Sequence, residues 1–203
     1  MRRKLGTLLV AIGFVLILGS LALFLSNYRE QEEAGELSAQ AMPKIVEVIH
    51  LRQEQPENQT EPVHPYVEER RMEPVTVDGN EYVGFVGIPA LEKELPIYSQ
   101  WSYHNLKYAP CRYWGDMYTE DLVVMAHNYA THFGGLADLR AGDTVTVTDM
   151  NAVTFTYQVV AVEALDPYAT EDMLSGDYDL TLFTCTYGGR SRVTVRCDKV
   201  EEE

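Results

Sequence analysis

From Leu5 to Leu25 the chain reads LGTLLVAIGFVLILGSLALFL, a run without a single charged residue. About 20 apolar residues are enough to carry a helix across the hydrocarbon core of a bilayer, so this stretch reads as a membrane span. A cleaved secretory leader is the rival, but its apolar core usually runs only about 7 to 15 residues, and no small-x-small site follows directly. Arg2, Arg3 and Lys4 precede the run. Positive charge beside a span marks its inner side, so residues 1–4 are expected to form a cytoplasmic tip and residues 5–25 the anchor. The rest is expected outside the cell, giving a single-pass protein of the cell membrane.

Export governs what the remaining residues can be used for. The chain has 16 Lys and Arg against 31 Asp and Glu, a net charge of −15. A body this acidic repels nucleic acid phosphates, which excludes that class of partner. Three cysteines, Cys111, Cys185 and Cys197, cannot all pair, and outside the cytoplasm disulfides are permitted. For Cys111 and Cys197 two readings stand, a small buried hydrophobe or a mutual disulfide. No metal is expected: Cys185 and Cys197 lack Cys-x-x-Cys spacing, and His127 with His132 does not make His-Glu-x-x-His. Acids such as Glu92 and Glu94 are spread too evenly to mark a calcium site, so calcium dependence is left open.

Residues 26–74 divide into a stalk of helical composition, with a break expected at Pro43, and a Pro-rich extended spacer from Pro56 to Pro74. Asn58-Gln59-Thr60 fits a glycosylation sequon by pattern alone. From residue 75 to 203 the text changes to short alternating or apolar runs between turn residues, the pattern of an all-β sandwich or barrel. Seven or eight strands are expected: 75–77, 82–88, LPIYS, DLVVMAH, DTVTVTD, TFTYQVVAVEAL, LTLFTC and RVTVRC. Short helical turns are expected at WSYHNLK and GGLADL.

Cys185 closes the strand LTLFTC and His127 closes DLVVMAH, so both can converge at one rim. A thiolate beside an imidazole is the minimum set for a sulfur nucleophile, and an arginine just beyond the Gly188-Gly189 turn can hold oxyanion charge. These parts suit acyl transfer. The stretch TLFTC also matches the Thr-Leu-x-Thr-Cys signature of the sortases, the cysteine transpeptidases of Gram-positive surfaces. VVMAHNYATHFGGLADLRAGDTVTV resembles the sortase histidine strand with its His-Phe, Leu and Gly-Asp segment, and GFVGIPALEKELPIY resembles the first core strands. Met125-Ala126-His127 departs from the Ala-Gly-His or Ile-Gly-His of many members.

The resemblance implies a closed sortase-type β-barrel of about eight strands with short helices. It implies Cys185 as nucleophile, His127 as acid/base and Arg192 as oxyanion stabiliser, with Thr184 helping to shape the substrate-binding site. Arg192 opens RVTV as the family's arginine does. Arg190 lies in the turn, and Arg196 shares a strand face with Arg192 by alternation; both are expected to be solvated charges. His132, His50, His64 and His104 carry no motif. The implied reaction cleaves a Leu-Pro-x-Thr-Gly-type sorting signal on a secreted protein through a Cys thioester. The acyl group then passes to an amine acceptor, a peptidoglycan precursor or a pilin lysine, without a cofactor. No Asp-Pro-aromatic lid motif of the pilus-building members stands in the N-terminal spacer, which leans away from pilus assembly. Two other classes stay open: a thiol peptidase that only hydrolyses, and a non-catalytic surface β-domain on the same anchor.

Overall fold

The computed structural model describes residues 2–54, 70–175 and 177–201. The sequon and most of the Pro-rich spacer lie outside the described residues. Helix α1 runs from Arg2 to Glu54 without interruption, so the segments expected as anchor and stalk form one element, long and apolar enough near the N-terminus to cross a membrane, and the break expected at Pro43 is absent. Pro43 is exposed, while Ala34, Ser38, Met42, Ile45 and Ile49 are buried, spaced by three or four residues along one helix face. A proline in a helix interior costs about 3 kcal/mol. Burying one Met or Ile returns about 1.5 to 3 kcal/mol, so the Met42, Ile45 and Ile49 contacts outweigh it.

Nine strands follow: β1 (Val75–Val77), β2 (Asn80–Ile88), β3 (Lys93–Tyr98), β4 (Cys111–Trp114), β5 (Leu122–Met125), β6 (Thr144–Asp149), β7 (Thr154–Leu165), β8 (Leu180–Cys185) and β9 (Arg192–Lys199). Their order is β1-β2-β3-β4-β5-β8-β9-β7-β6, and β6 pairs back onto β2. Eight strands therefore close a mixed barrel and β1 is an extra strand on β2. The parallel contacts are β3 with β4 and β5 with β8. Gly84 makes the closure possible: a Cβ there would stand 2.0 Å from the Thr148 carbonyl oxygen of β6, and its φ of +149° is one that side chains resist. Strand β4 has no counterpart among the expected runs; the two short helical turns fall as expected, at Asn105–Lys107 and Leu136–Asp138. A four-residue helix α2 (Thr170–Met173) interrupts the β7–β8 connection.

Strand alternation sorts the barrel's residues. Leu122, Val124 and Ala126, with Leu180, Leu182, Val195 and Cys197, pack inside. Val123 and Phe183 face outward and are covered by Met173 of α2. On another flank α1 adds Ile45 and Ile49 to a cluster with Val77, Tyr82, Tyr98, Leu106 and Cys111. All three cysteines are free, and Cys111 and Cys197 sit fully buried in different clusters. Of the two readings of that pair, the disulfide is not formed.

The α1 contact includes a buried polar pair, Ser38 Oγ lying 3.4 Å from His132 Nε2. Burial is the main cause that pushes the His132 pKa down, to about 4. In the unfolded chain a histidine titrates near 6.5. The folded state thus refuses a proton that the unfolded state accepts, and acid favours unfolding. Stability is full above about pH 6.5 and is expected to fall by up to about 3 kcal/mol as pH approaches 4. Thermal midpoints measured from pH 7 to 4.5 should drop, and the drop should shrink in His132→Gln.

Candidate active site

The backbone register brings the sequence-predicted residues to one place. Strands β5 and β8 run parallel with Met125 opposite Phe183. The Ala126 amide donates to the Phe183 carbonyl at 3.2 Å, so the pairing continues one residue past the strand end, and the same register extended by one more residue puts the His127 position alongside that of Cys185. On the other side β8 and β9 run antiparallel with Cys185 directly opposite Arg192. Directly opposed side chains share a sheet face with Cβ atoms about 4.5 to 5.5 Å apart.

Parity places all three on the barrel's outer face. His127 continues the outward series Val123, Met125; Cys185 continues Thr181, Phe183; and Arg192 alternates with the inward residues Val193 and Val195. Thr184 has the opposite parity. It is buried at the rim and its hydroxyl donates to the Ala126 carbonyl at 2.8 Å, tying the cysteine strand to the histidine strand.

Cys185 is half-buried, whereas the thiols of Cys111 and Cys197 are enclosed and burial pushes each up to about 12. Those two stay protonated at neutral pH, and of the three thiols only that of Cys185 is accessible. Burial lowers the His127 pKa; Glu30 on α1 opposes that and Lys107 adds to it. The His127 ring lies against Tyr129, with centroids 4.8 Å apart, and Tyr129 lies against His132 at 5.5 Å. A lowered pKa keeps the imidazole neutral and able to accept a proton.

The turn after Cys185 is closed by its own residues. The Thr186 amide donates to the Ser191 carbonyl at 3.0 Å, and the Ser191 amide donates to the Thr186 hydroxyl at 3.1 Å. Arg192 Nη1 donates to the carbonyls of Gly189 and Ser191 at 3.3 and 3.4 Å, long bonds that a developing oxyanion can displace. Arg190 is exposed at the turn. Beside Arg192, a cleft is lined by Tyr113, Met125, Asp166, Pro167, Ala169, Thr170, Met173 and Phe183. Among the described residues, no three His, Cys, Asp or Glu side chains gather as metal ligands would.

Arg196 corrects an expectation. It shares the outward face of Arg192, but it pairs with Thr181, four residues before Cys185 and about 13 Å down the strand. It is buried to 2% exposure rather than solvated. Its Nε donates to Glu163 at 2.8 Å, and its two terminal nitrogens donate to the Thr181 hydroxyl at 3.0 Å and to the carbonyls of Met173 at 3.2 Å and Asp172 at 2.5 Å. It therefore pins the end of α2, whose Met173 forms a wall of the cleft. Arg196→Ala is expected to cost about 2 to 4 kcal/mol of stability through the void and the unsatisfied carbonyls, as read by denaturant unfolding.

Glu30 and the α1 stripe are parts of this site that sequence reasoning misses. The stripe itself, Ala34, Ser38, Met42, Ile45, Ile49, is a visible signal that the stalk docks on something.

The Sortase domain family matches residues 86–200. Among solved structures, sortase C1 from Streptococcus suis is similar at 26% identity with a TM-score of 0.51, over 59% of this chain and 73% of that one. Two further folds agree. Sortase C of Streptococcus pneumoniae, whose structure addresses pilin substrate specificity, gives 24% identity and a TM-score of 0.53 over 79% and 90% of the two chains. Sortase C1 of Streptococcus agalactiae gives 23% and 0.54 over 85% and 96%. No curated protein sequence matches the chain.

Proposed function

Because this chain belongs to the sortase family, we propose that it is a membrane-anchored cysteine transpeptidase of the cell surface in which Cys185, His127 and Arg192 carry the reaction. The observation that supports this is strand register: Cys185 pairs with Arg192 across β8 and β9, and the parallel β5–β8 register, extended two residues beyond Met125 and Phe183, brings the His127 position alongside Cys185. A surface β-domain without chemistry has no need of an accessible thiol in that setting.

The neutral His127 imidazole takes the proton of the Cys185 thiol, and the resulting thiolate attacks the carbonyl carbon that precedes glycine in a sorting signal of the Leu-Pro-x-Thr-Gly type. The C–S bond forms and the carbonyl oxygen takes the negative charge, held by the Arg192 guanidinium. The C–N bond then breaks, and the glycine amine leaves with a proton from the His127 imidazolium. A thioester remains on Cys185. The acceptor amine attacks it, a new C–N bond forms, the C–S bond breaks, and His127 takes the amine's proton while the thiolate is restored. No step requires a cofactor, and sortases in general need none.

The anchor and the positive-inside tip support a site outside the cell. The acceptor is an amine on a cell-wall precursor or a pilin lysine; likeness to sortase C chains makes the pilin lysine the first to try. Incubation of the full-length chain in detergent with a sorting peptide, with and without each amine, tests the proposal. Amide products that appear only with an amine are expected. Hydrolysis alone under every amine would leave a thiol peptidase, and no labelling of Cys185 by the peptide would remove the catalytic reading.

A further inference from the structure

The sequence of contacts along α1 runs parallel to the height of the barrel. Gln31 meets the loop that follows His127: its side-chain oxygen accepts from the Ala130 amide and its carbonyl accepts from the Thr131 hydroxyl, both at 3.1 Å. Further along, the Ser38 hydroxyl donates to the Tyr108 carbonyl at 2.6 Å. Lys44 pairs with Asp78 in the β1–β2 turn, and Arg52 with Glu73 at 3.6 Å. The catalytic rim is therefore the end of the barrel nearest the apolar segment, and the β1–β2 turn is the far end.

The helical rise of 1.5 Å per residue converts these contacts to heights. Gln31 stands about 9 Å beyond Leu25, and Lys44 about 29 Å beyond it. The interfacial layer outside the hydrocarbon core is about 5 to 8 Å thick on each side. The segment between Leu25 and Gln31 is helical and contains neither glycine nor proline, so it offers no joint. At the docking point the helix is held close: a Cβ on Gly35 would lie 2.6 Å from Thr131 Cγ2, an approach that only glycine allows.

We propose that the catalytic rim rests against the outer surface of the membrane, with lipid headgroups as the partner of its exposed residues and the β1–β2 turn pointing away. Tyr187, 87% exposed at the tip of the turn after Cys185, shares a hollow with Leu91, Lys93 and Ala130 on this rim. Tyr28 stands half-exposed on α1 just beyond Leu25. Exposed tyrosines at this height match the headgroup layer, where amphipathic rings are favoured, while the Lys93 ammonium is taken up by the Ala130 carbonyl. The orientation rests on the apolar half of α1 being inserted, as the proposed function requires.

Resonance energy transfer from the protein to headgroup-labelled acceptor lipids measures the orientation, using the full-length chain in phosphatidylcholine vesicles. A donor on the native Cys185 thiol marks the rim, since the other two thiols are enclosed. A donor on Thr76→Cys in a Cys185→Ala background marks the far end, Thr76 being exposed in β1. The rim donor is expected to lie nearer the lipid by about 20 Å, the rise from Gln31 to Lys44. Equal distances, or the reverse order, in a chain that floats with the vesicles would overturn the orientation and leave the anchor standing. A chain that does not float overturns both. Inserting a seven-residue helical block after Ser26 keeps the helix face within about 20° and should lift the rim donor by about 10 Å. An unchanged transfer from that variant would also refute the proposal.

Discussion

Cys185→Ala is expected to leave the chain folded and to abolish thioester formation, cleavage and transfer together. The loss should be complete, because no other group can take over. Cys111 and Cys197 are fully buried and their thiols are pushed up to about 12, so neither supplies a thiolate at neutral pH. Removing Sγ from a half-exposed strand end takes little packing with it, so the folded state should survive. The measurement is mass spectrometry of the chain after exposure to a sorting peptide, alongside product analysis. One acyl adduct is expected on the native chain and none on the variant. An adduct that persists in Cys185→Ala would relocate the nucleophile. Thiol counting on the denatured native chain should give three free thiols, in line with the absence of any bridge.

The second large effect belongs to Arg192. Loss of one oxyanion donor lowers turnover by about a hundred- to a thousandfold, or about 3 to 4 kcal/mol, and Arg192→Ala is expected to fall in that range with its unfolding curve unchanged. Arg192→Lys should recover only part, since an ammonium keeps the charge but lacks the planar multi-donor fork. The other two arginines separate by mechanism. Arg190, exposed at the turn, should change activity by less than about tenfold on truncation, as an exposed charge worth about 0 to 1 kcal/mol does. Arg196→Ala should fail through stability, because its guanidinium holds the carbonyls of Asp172 and Met173. Steady-state rates paired with denaturant curves distinguish these outcomes. A crippled but stable Arg190→Ala beside a normal Arg192→Ala would move the oxyanion role into the turn.

Alternation is the most informative feature of the sequence for both fold and site. The β strands that carry Cys185 and Arg192, and the one that ends two residues before His127, can be placed because each is a run of β-branched and apolar residues, and strand parity predicts which side chains share a face. Strand β4 escapes because CRYW is short, sits between Pro110 and Gly115, and leaves no room for alternation to declare itself. The break expected at Pro43 follows local propensity, which the buried Met42, Ile45 and Ile49 override. Arg196 is assigned the correct face and the wrong environment: whether that face is open depends on α2 folding over it, and the sequence of residues 166–179 carries no periodic mark of that. The influence of Glu30 on His127 joins residues almost a hundred positions apart and arises only from docking α1 on the barrel. The same stripe of Ala34, Ser38, Met42, Ile45 and Ile49 announces that docking, though not its location.

With Cys185 and His127 acting together as proposed, the parallel contact between β5 and β8 also governs when a newly made chain becomes reactive. Thr184 and Ala126 are bonded to each other across 58 positions of sequence, and the chain between them holds β6, β7 and α2. Loop closure over such separations is slow compared with hairpin formation, so the β6–β7 hairpin is expected to form well ahead of the juxtaposition of Cys185 and His127. Under the proposed function, chemical competence is therefore expected only once β5 and β8 have paired.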